Sequence, residues 1–217
     1  MKTVIQIVLW ALSIFFAYKI YTSIMEPIKF DKVKKERYTA VINKLKKIRD
    51  AQEAHRIIDN SYAKDFESLA KFLDTAQFTI LEKRDSSFMR YNRTYRIDMP
   101  VDTVVVDTLG FIPVKDSLFK NTNINYKDLG TIPYAQNNAK FDMKTDILDK
   151  NGFRAPVFEV KVDKSSLLYD QPADLVANEK QMIDVEEVNG PEIKVGSLTD
   201  VSTSGNWPPY YDTKGEK

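Results

Sequence analysis

Among the side chains most often used in catalysis and metal binding, this 217-residue chain has one histidine, His55, and 31 carboxylates, and it has no cysteine. The lack of cysteine excludes disulfides, thiolate catalysis and zinc sites built on cysteine. A Ser-His-Asp arrangement or a histidine metal site would have to rest on His55 alone. His55 follows Ile48 by seven residues on a helical face, which predicts a half-buried structural side chain.

The carboxylates give no pattern that is typical of general acid-base catalysis. Pairs such as Glu186 and Glu187, or Asp98 and Asp102, are ordinary in a chain this rich in acids. The sequence has no G-x-G-x-x-G, Walker or H-E-x-x-H motif. We therefore expect no enzyme, no catalytic, cofactor-binding or metal site, no cofactor and no small-molecule substrate.

The composition predicts a folded protein with one soluble domain. It is 43% hydrophobic and 29% charged, far from the composition of disordered chains. Lys and Arg total 32 against 31 Asp and Glu, so no overall charge favours nucleic acid as a partner. An anchor and one domain of about 150 residues fit the length.

The elements that would position these side chains begin with an apolar run, residues 4–25. At about 1.5 Å per residue it makes about 33 Å of helix, enough to cross the hydrocarbon core of a bilayer. No small-residue cleavage site follows, so we expect a retained anchor and not a cleaved signal. The predicted membrane-facing residues are Val4, Ile7, Leu9, Trp10, Leu12, Phe15, Phe16 and Ile20.

After a short break expected at Pro27, the pattern predicts an amphipathic stalk helix over residues 26–60. Its apolar stripe follows steps of three or four and includes Val33, Arg37, Val41, Leu45, Ile48, Ala51, His55 and Ile58. Of these, Val41, Leu45, Ile48, His55 and Ile58 are the expected packing face. The opposite side carries Lys34, Lys35, Lys46, Lys47, Arg49, Asp50 and Glu53. That side is either a solvated face or, near the membrane, a contact with anionic lipid.

A turn at Asp59-Asn60-Ser61 and a second, shorter helix after Asp65 should follow. The residues 48–54 (IRDAQEA), 59–62 (DNSY) and 65–69 (DFESL) resemble the pilins and pseudopilins of type IV pili and type II secretion systems. The resemblance covers residues 1–75. It implies a long helix that is half in the membrane and a non-catalytic subunit of a bacterial envelope assembly.

The chain departs from that family in its membrane segment. The apolar run starts at Val4 without a Gly-Phe leader junction, and it contains no acid before Glu26. We therefore do not expect leader processing, nor entry into a filament through the family's Glu pairing. Two alternatives remain: a pilin-like subunit that stays in the membrane, or an anchor and stalk that resemble the family by convergence.

Two arguments give opposite orientations for the soluble domain. The basic cluster Lys29, Lys32, Lys34, Lys35 and Arg37 lies after the apolar run, which by the positive-inside rule predicts a cytoplasmic domain. The resemblance implies a domain outside the inner membrane. Asp-Ser/Thr-apolar triplets, typical of periplasmic O-glycosylation acceptors, favour the same side; they begin at Asp74, Asp102, Asp107 and Asp116.

Beyond residue 77 the sequence predicts short strands at 78–81, 95–99, 101–106, 110–114 and 156–162, with a hairpin turn at Asp107 to Gly110. Residues 115–150 read as loops, residues 164–181 give no element, and Glu192 to Val195 could be a last strand. The expected fold is α+β: an N-terminal transmembrane helix that continues into a long amphipathic helix packed on an antiparallel sheet, as in pilins.

The predicted organisation is an anchor at 1–25, a stalk at 26–60, a globular domain at 61–195 and an irregular tail at 196–217. In the tail, Trp207, Tyr210 and Tyr211 either pack back onto the domain or dock a partner.

Three functions stay open from the sequence. The first is a pilin-like structural subunit in a single-pass inner-membrane assembly, whose partners are the bilayer and other envelope proteins. The second is a tethered binding module that uses the Asn/Tyr-rich loops and the tail. The third is an assembly-platform protein with a cytoplasmic domain.

Overall fold

The computed structural model describes residues 2–120, 122, 124–150 and 152–213. It shows an α+β protein in which one long helix is followed by antiparallel sheets. Asn121 and Asn123 of the predicted loop, and the last four residues of the predicted tail, lie outside the described residues.

Helix α1 spans Lys2–Asp59 without interruption, so the break expected at Pro27 is wrong. Pro27 has no N–H and cannot bond the carbonyl of Ser23, which costs a helix about 3 kcal/mol or more. Both flanking segments are strongly helical, and the helix continues through the proline. Anchor and stalk are therefore one 58-residue rod.

The second half of α1 is the centre of the hydrophobic core. Val41, Leu45 and Ile48 are buried as predicted. His55 is half-buried, whereas Ile58 is 38% exposed and is not one of the buried residues of the packing face. The buried stripe begins on Phe30, Lys34 and Tyr38, next to the predicted Val33 and Arg37; it continues through Val41, Ile42, Leu45, Ile48, Ala51, Gln52 and Ala54.

Lys34 corrects the predicted charged face, because its side chain is buried. A lysine at four residues from Phe30 and from Tyr38 lies on their side of the helix. Lys34 was predicted on the exposed face because a pattern of apolar residues cannot show that a charged side chain is buried.

Helix α2 spans Phe66–Thr75 and begins as predicted, with Asp65 as its N-cap. The Asp65 carboxylate accepts from the Ser68 N–H at 2.7 Å. Leu69, Phe72 and Leu73 are the buried face of this helix. They pack into the same core as α1.

Strands β1 (Gln77–Asn92) and β2 (Ile97–Pro113) form one long antiparallel hairpin. Its turn lies at residues 93–96, so the turn predicted at Asp107 to Gly110 is wrong. Ile80 pairs with Gly110 and Leu81 with Thr108, which leaves Leu109 unpaired as a β-bulge. The turn-like residues at this position bend the strand and do not end it.

A second sheet has the order β3-β4-β5, all antiparallel: β3 Asp142–Lys150, β4 Phe153–Asp163 and β5 Glu192–Gly196. In β4, Phe158, Val160 and Val162 are buried, as the alternation predicted. Ile193 and Val195 of β5 are also buried, so the predicted last strand is confirmed. This sheet supplies its apolar face to the core around α1.

Short helices that were not predicted connect these elements: one lies in the segment predicted as loops, two in the segment 164–181 and one in the tail predicted to be irregular. They are α3 (Val114–Phe119), α4 (Lys164–Leu167), α5 (Ala173–Lys180) and α6 (Tyr210–Thr213). Single turns of 3-10 helix lie at Tyr126–Asp128 and Gln136–Asn138. All are too short for hydrophobic periodicity to reveal them.

Candidate functional site

The first candidate surface is the N-terminal half of α1. It is the one helix in the described chain that is long and apolar enough to cross a membrane. The eight residues predicted to form the membrane anchor are between 46% and 72% exposed, so no other part of the described chain covers them. The hydroxyl of Thr22 donates to the carbonyl of Lys19 at 3.0 Å, which satisfies a polar group near the end of the run.

The soluble domain begins close to the end of this surface. Met25 ends the apolar run and Phe30 is the first buried residue of the core, five residues or about 7.5 Å further along the axis. Lys29, Lys32 and Lys35 are exposed around this junction. A bilayer that covered residues 4–25 would therefore have the domain, and these lysines on one side of the helix, directly at its surface.

A buried ion cluster fixes the domain to α1 at the same level. Glu179 of α5 is its centre, with Lys34 Nζ at 3.1 Å from Oε2 and Lys164 Nζ at 2.9 Å from Oε1. The Tyr38 hydroxyl donates to Oε1 of the same carboxylate at 3.2 Å. Lys164 also donates to the carbonyls of Glu179 and Val188, at 2.9 and 2.7 Å. Every member has partners, which a buried charge requires.

The pKa shifts in the cluster follow from burial and pairing. Burial lowers the pKa of Lys164, against the effect of Glu179. For Lys34 burial also acts to lower the pKa, but attraction to Glu179 and Glu187 outweighs it and the pKa is raised. Burial, with the charge of Glu179, raises the pKa of Tyr38 far above its ordinary value. Tyr38 therefore stays a protonated donor, and the cluster is a structural lock between α1 and α5.

A second, outer ion pair joins α1 to the segment after α4. Arg37 donates to both carboxylate oxygens of Asp170, at 2.6 and 2.8 Å, and to the carbonyl of Leu167 at 2.5 Å. The guanidinium also lies 5.7 Å from the ring centre of Tyr169. Bonds from Arg37 lower the pKa of Asp170 to about 2. Because the pKa of Asp170 is lower in the folded chain than in the unfolded chain, the pair stabilises the folded state at any pH above the pKa of the unfolded chain.

We predict that Asp170→Asn flattens the acid side of the stability profile. In the wild type, the contribution of this pair is complete above about pH 4 and is lost as the pH falls toward 2. Because the carboxylate is 42% exposed, screening limits its contribution to about 1 kcal/mol. Denaturant titrations between pH 7 and 2 should show the two chains converging in acid. Asp149→Asn, at an exposed acid of β3, is the matched control; equal profiles for all three chains would contradict the role of Asp170.

The aromatic tail packs on its own domain, which is the first of the two alternatives. Trp207 and Tyr211 are buried and Tyr210 is half-buried. The alternative prediction, that Trp207 and Tyr211 dock a partner, is therefore wrong, because these side chains are covered by their own domain. The Trp207 Nε1–H donates to Asp212 at 3.1 Å, and Lys46 donates to the Tyr211 carbonyl at 2.5 Å. Asn206 continues the edge of β5 through bonds to Lys194. The tail is a strap that holds β5 to α1.

The turn after α1 is held by two polar residues of the stalk. The buried Gln52 amide donates to the Ala63 carbonyl at 3.0 Å and accepts from the Ala63 N–H at 2.9 Å. His55 Nδ1 lies 2.6 Å from the Ser61 carbonyl, and its ring packs on Phe72 at 4.6 Å. His55 thus has the structural place that its position predicted. The role of Gln52 was missed, because an amide within a charged helix reads as a surface residue.

The other surface that sequence reasoning missed is the hairpin β1–β2, described by its residues 77–113. None of its side chains is buried, although it carries fourteen large apolar side chains that are exposed. The first strand was predicted to end at residue 81, because the residues that follow, Glu82 to Ser87, are charged residues and serine, which are weak strand formers. The rest of the hairpin did give a signal, because the strands predicted at 78–81, 95–99, 101–106 and 110–114 all lie largely within β1 and β2.

The described residues contain no cluster of three or more His, Cys, Asp or Glu side chains that could hold a metal ion. The features that remain are an exposed apolar half-helix, a locked junction beside it and an uncovered hairpin. Comparisons with protein-family models, with curated proteins and with solved structures found no match to this chain.

Proposed function

We propose that this chain is a membrane-anchored, non-catalytic structural subunit of a bacterial envelope assembly for secretion, pili or motility, with a pilin-like or pseudopilin-like design. The observation that carries the proposal is α1. One uninterrupted helix is exposed and apolar over its first half, and it forms the core of the domain over its second half.

The continuous helix explains what such a subunit would do mechanically. A flexible linker would let the domain drift relative to the bilayer, whereas a helix transmits position and force. The buried ion cluster of Lys34, Lys164 and Glu179 lies just beyond the membrane junction. The length of helix between the anchor and the point where the domain is attached is therefore short. The domain is thus held at a fixed height and a fixed rotation about the helix axis.

We place the anchor in the inner membrane as a single span, with the domain in the periplasm. The resemblance of residues 48–69 to pilins supports this side, against the lysines that follow the apolar run. A reporter fused after Lys217 tests the orientation. Activity of a periplasm-dependent reporter is expected, and activity of a cytoplasm-dependent reporter alone would overturn this part of the proposal.

The expected partners are the bilayer and other envelope proteins that pack beside the anchor. We predict that single cysteines introduced along residues 4–25 cross-link to neighbouring helices with helical periodicity. The chain has no native cysteine, so each variant reports on one position. Cross-links confined to one helical face, for example at Leu9, Leu12 and Phe16, would indicate a packed interface.

The cross-linking scan has a built-in control in the opposite face of the same helix. Native-size measurements in mild detergent should show a complex larger than one 25.0 kDa chain in its micelle. Weak and uniform cross-linking at every position, with a monomer in every detergent, would contradict a structural subunit.

A second candidate, a membrane-tethered binding module, is favoured by one observation, the exposed hairpin. Binding of a partner by the Asn/Tyr-rich loops stays a prediction. Truncation of residues 203–217 is no clean test of it, because Trp207 and Tyr211 belong to the core. Loss of a soluble partner on shortening the hairpin, with the membrane complex intact, would favour this candidate over the first.

A further inference from the structure

The hairpin β1–β2 is long, and none of its side chains is buried. At about 3.4 Å per residue, the 16 residues of β1 extend about 50 Å. Phe78 is the apolar residue of the hairpin that packs on the core. Within the described residues, β1 and β2 pair only with each other, so both outer edges have free backbone groups. A two-stranded ribbon alone is marginally stable in water.

Exposed apolar side chains run along both faces of the ribbon. Phe88 is 50% exposed and Met89 65%, and the run Val104, Val105, Val106 is between 42% and 53% exposed. A long apolar ribbon with free edges pairs readily with another strand, and soluble proteins normally protect such edges. Pro100 lacks an N–H and cannot donate a hydrogen bond to an added strand. Residues 101–108 are therefore the part of the β2 edge that is able to pair with another strand.

The two edges carry different charge. The acids of β2 are Asp98, Asp102 and Asp107, and this strand has no base. In β1 three bases outnumber two acids, and the ribbon's turn adds Arg93 and Arg96. Arg84 pairs with Asp107 inside the hairpin. Among the described residues of the hairpin, Lys83, Asp85 and Arg90 of β1 and Asp98 and Asp102 of β2 have no ion-pair partner. The unpaired charge is therefore basic on balance along β1 and acidic along β2.

We propose that a second copy of this chain covers the hairpin, with the β1 edge of one copy paired to the β2 edge of the next. Because β1 and β2 are antiparallel in one hairpin, stacking copies side by side places β1 antiparallel to the neighbour's β2. The basic edge then meets the acidic edge. Each copy keeps one free edge of each kind, so the contact is heterologous and repeats into an open array.

A second copy fits better than an unrelated partner because both complementary edges belong to the same chain. Lys83 and Asp102 also share one face of the ribbon: Lys83 pairs with Val106 and Asp102 with Ser87, at alternate positions. Where two copies stack level, Asp102 lies opposite the neighbour's Ser87, and the neighbour's Lys83 lies four residues further along the same face. The inference rests on the proposed structural subunit only in that many copies must share one membrane.

Cysteine cross-linking of the full chain, reconstituted in lipid vesicles, tests the proposal. Ser86→Cys lies on β1 and Thr103→Cys on β2, both exposed and on one face. With a short bifunctional thiol reagent, a mixture of the two variants should give a dimer, and each variant alone should give little. No dimer from the mixture, or dimers from Thr103→Cys alone, would overturn the β1-to-β2 arrangement.

Charge reversal gives an independent test with its own rescue. The β1 variant Lys83→Glu/Arg90→Glu has two acidic edges, and the β2 variant Asp98→Lys/Asp102→Lys has two basic edges. Each alone should lose cross-linking at least tenfold, and an equal mixture of the two should recover it. Unchanged cross-linking in both variants, or no recovery in the mixture, would contradict edge complementarity.

The failure of this inference is distinguishable from failure of the proposed function. If hairpin cross-links are absent while cysteines in residues 4–25 still cross-link on one face, the subunit stands and the hairpin contact is refuted. If both kinds of cross-link are absent and the chain is monomeric, both are refuted.

Discussion

Glu179→Ala is expected to destabilise the domain by about 3–5 kcal/mol, because it leaves two buried lysines without their shared carboxylate. Lys34 keeps contacts with Glu187 and Asp31, at 3.2 and 3.4 Å. Lys164 keeps only carbonyl acceptors and is fully buried, so most of the loss arises there. Urea titration of the detergent-solubilised chain, followed by Trp207 fluorescence, measures the change.

A paired variant separates the uncompensated charge from simple loss of packing. In Glu179→Ala/Lys164→Met the most deeply buried lysine is removed with its partner, so the double variant should be more stable than Glu179→Ala alone. Glu186→Gln, at an exposed acid nearby, is the control and should change stability by about 0.5 kcal/mol or less. A double variant less stable than the single one would contradict the assigned role of the cluster.

Gly196→Ala is expected to destabilise the domain by about 3 kcal/mol or more, since two separate costs add. Gly196 ends β5 with φ at +78°, a left-handed conformation that costs a non-glycine residue about 1–2 kcal/mol. A Cβ there would also lie 2.2 Å from the Phe158 carbonyl oxygen, which belongs to the central strand β4 and cannot move freely. The backbone of the sheet itself must shift to accommodate alanine.

Gly110→Ala is the matched control for that change. Gly110 lies in β2, and a Cβ there would meet no atom within 4 Å. We expect its free energy of unfolding to stay within about 0.5 kcal/mol of the wild type. Equal effects of the two substitutions in denaturant titrations would contradict the close approach of β5 to β4.

The strongly periodic parts of the fold were predictable. The stripe at Val41, Leu45 and Ile48 and the cap at Asp65 follow from local rules of helix patterning and capping. The alternation in β4 and the strand at Glu192 to Val195 follow from the period of two. Each of these elements packs an apolar face on the core, so sequence pattern and environment agree.

The elements that were missed depend on tertiary context. Pro27 ends most helices, but α1 runs through it because the segments on both sides are helical. Asp107 to Gly110 has the composition of a turn, but pairing of the whole of β2 with β1 makes it a bulge. Lys34 reads as a surface residue, and only the approach of Glu179, 145 residues later, makes its burial possible.

The candidate surfaces divide in the same way. The apolar half of α1 was recognisable from length and composition alone. For the tail residues Trp207 and Tyr211, packing was favoured over docking from the sequence. Both side chains are buried, and the tail bonds to Lys46 and Lys194. The hairpin was recognisable in part: strands were predicted at both ends of its sequence, but residues 82–92 were missed, since a charged strand acquires its conformation from a partner distant in sequence.

The central claim is that the first half of α1 is a retained membrane anchor continuous with the domain core. Alkaline carbonate extraction of membranes, with intact mass measurement of the chain, tests it most directly. The wild type should stay in the pellet at its full 25.0 kDa, and Leu12→Arg/Phe16→Arg, which adds two charges to the apolar run, should be released. Release of the wild type, or recovery of a chain that has lost its first 25 residues, would contradict the claim.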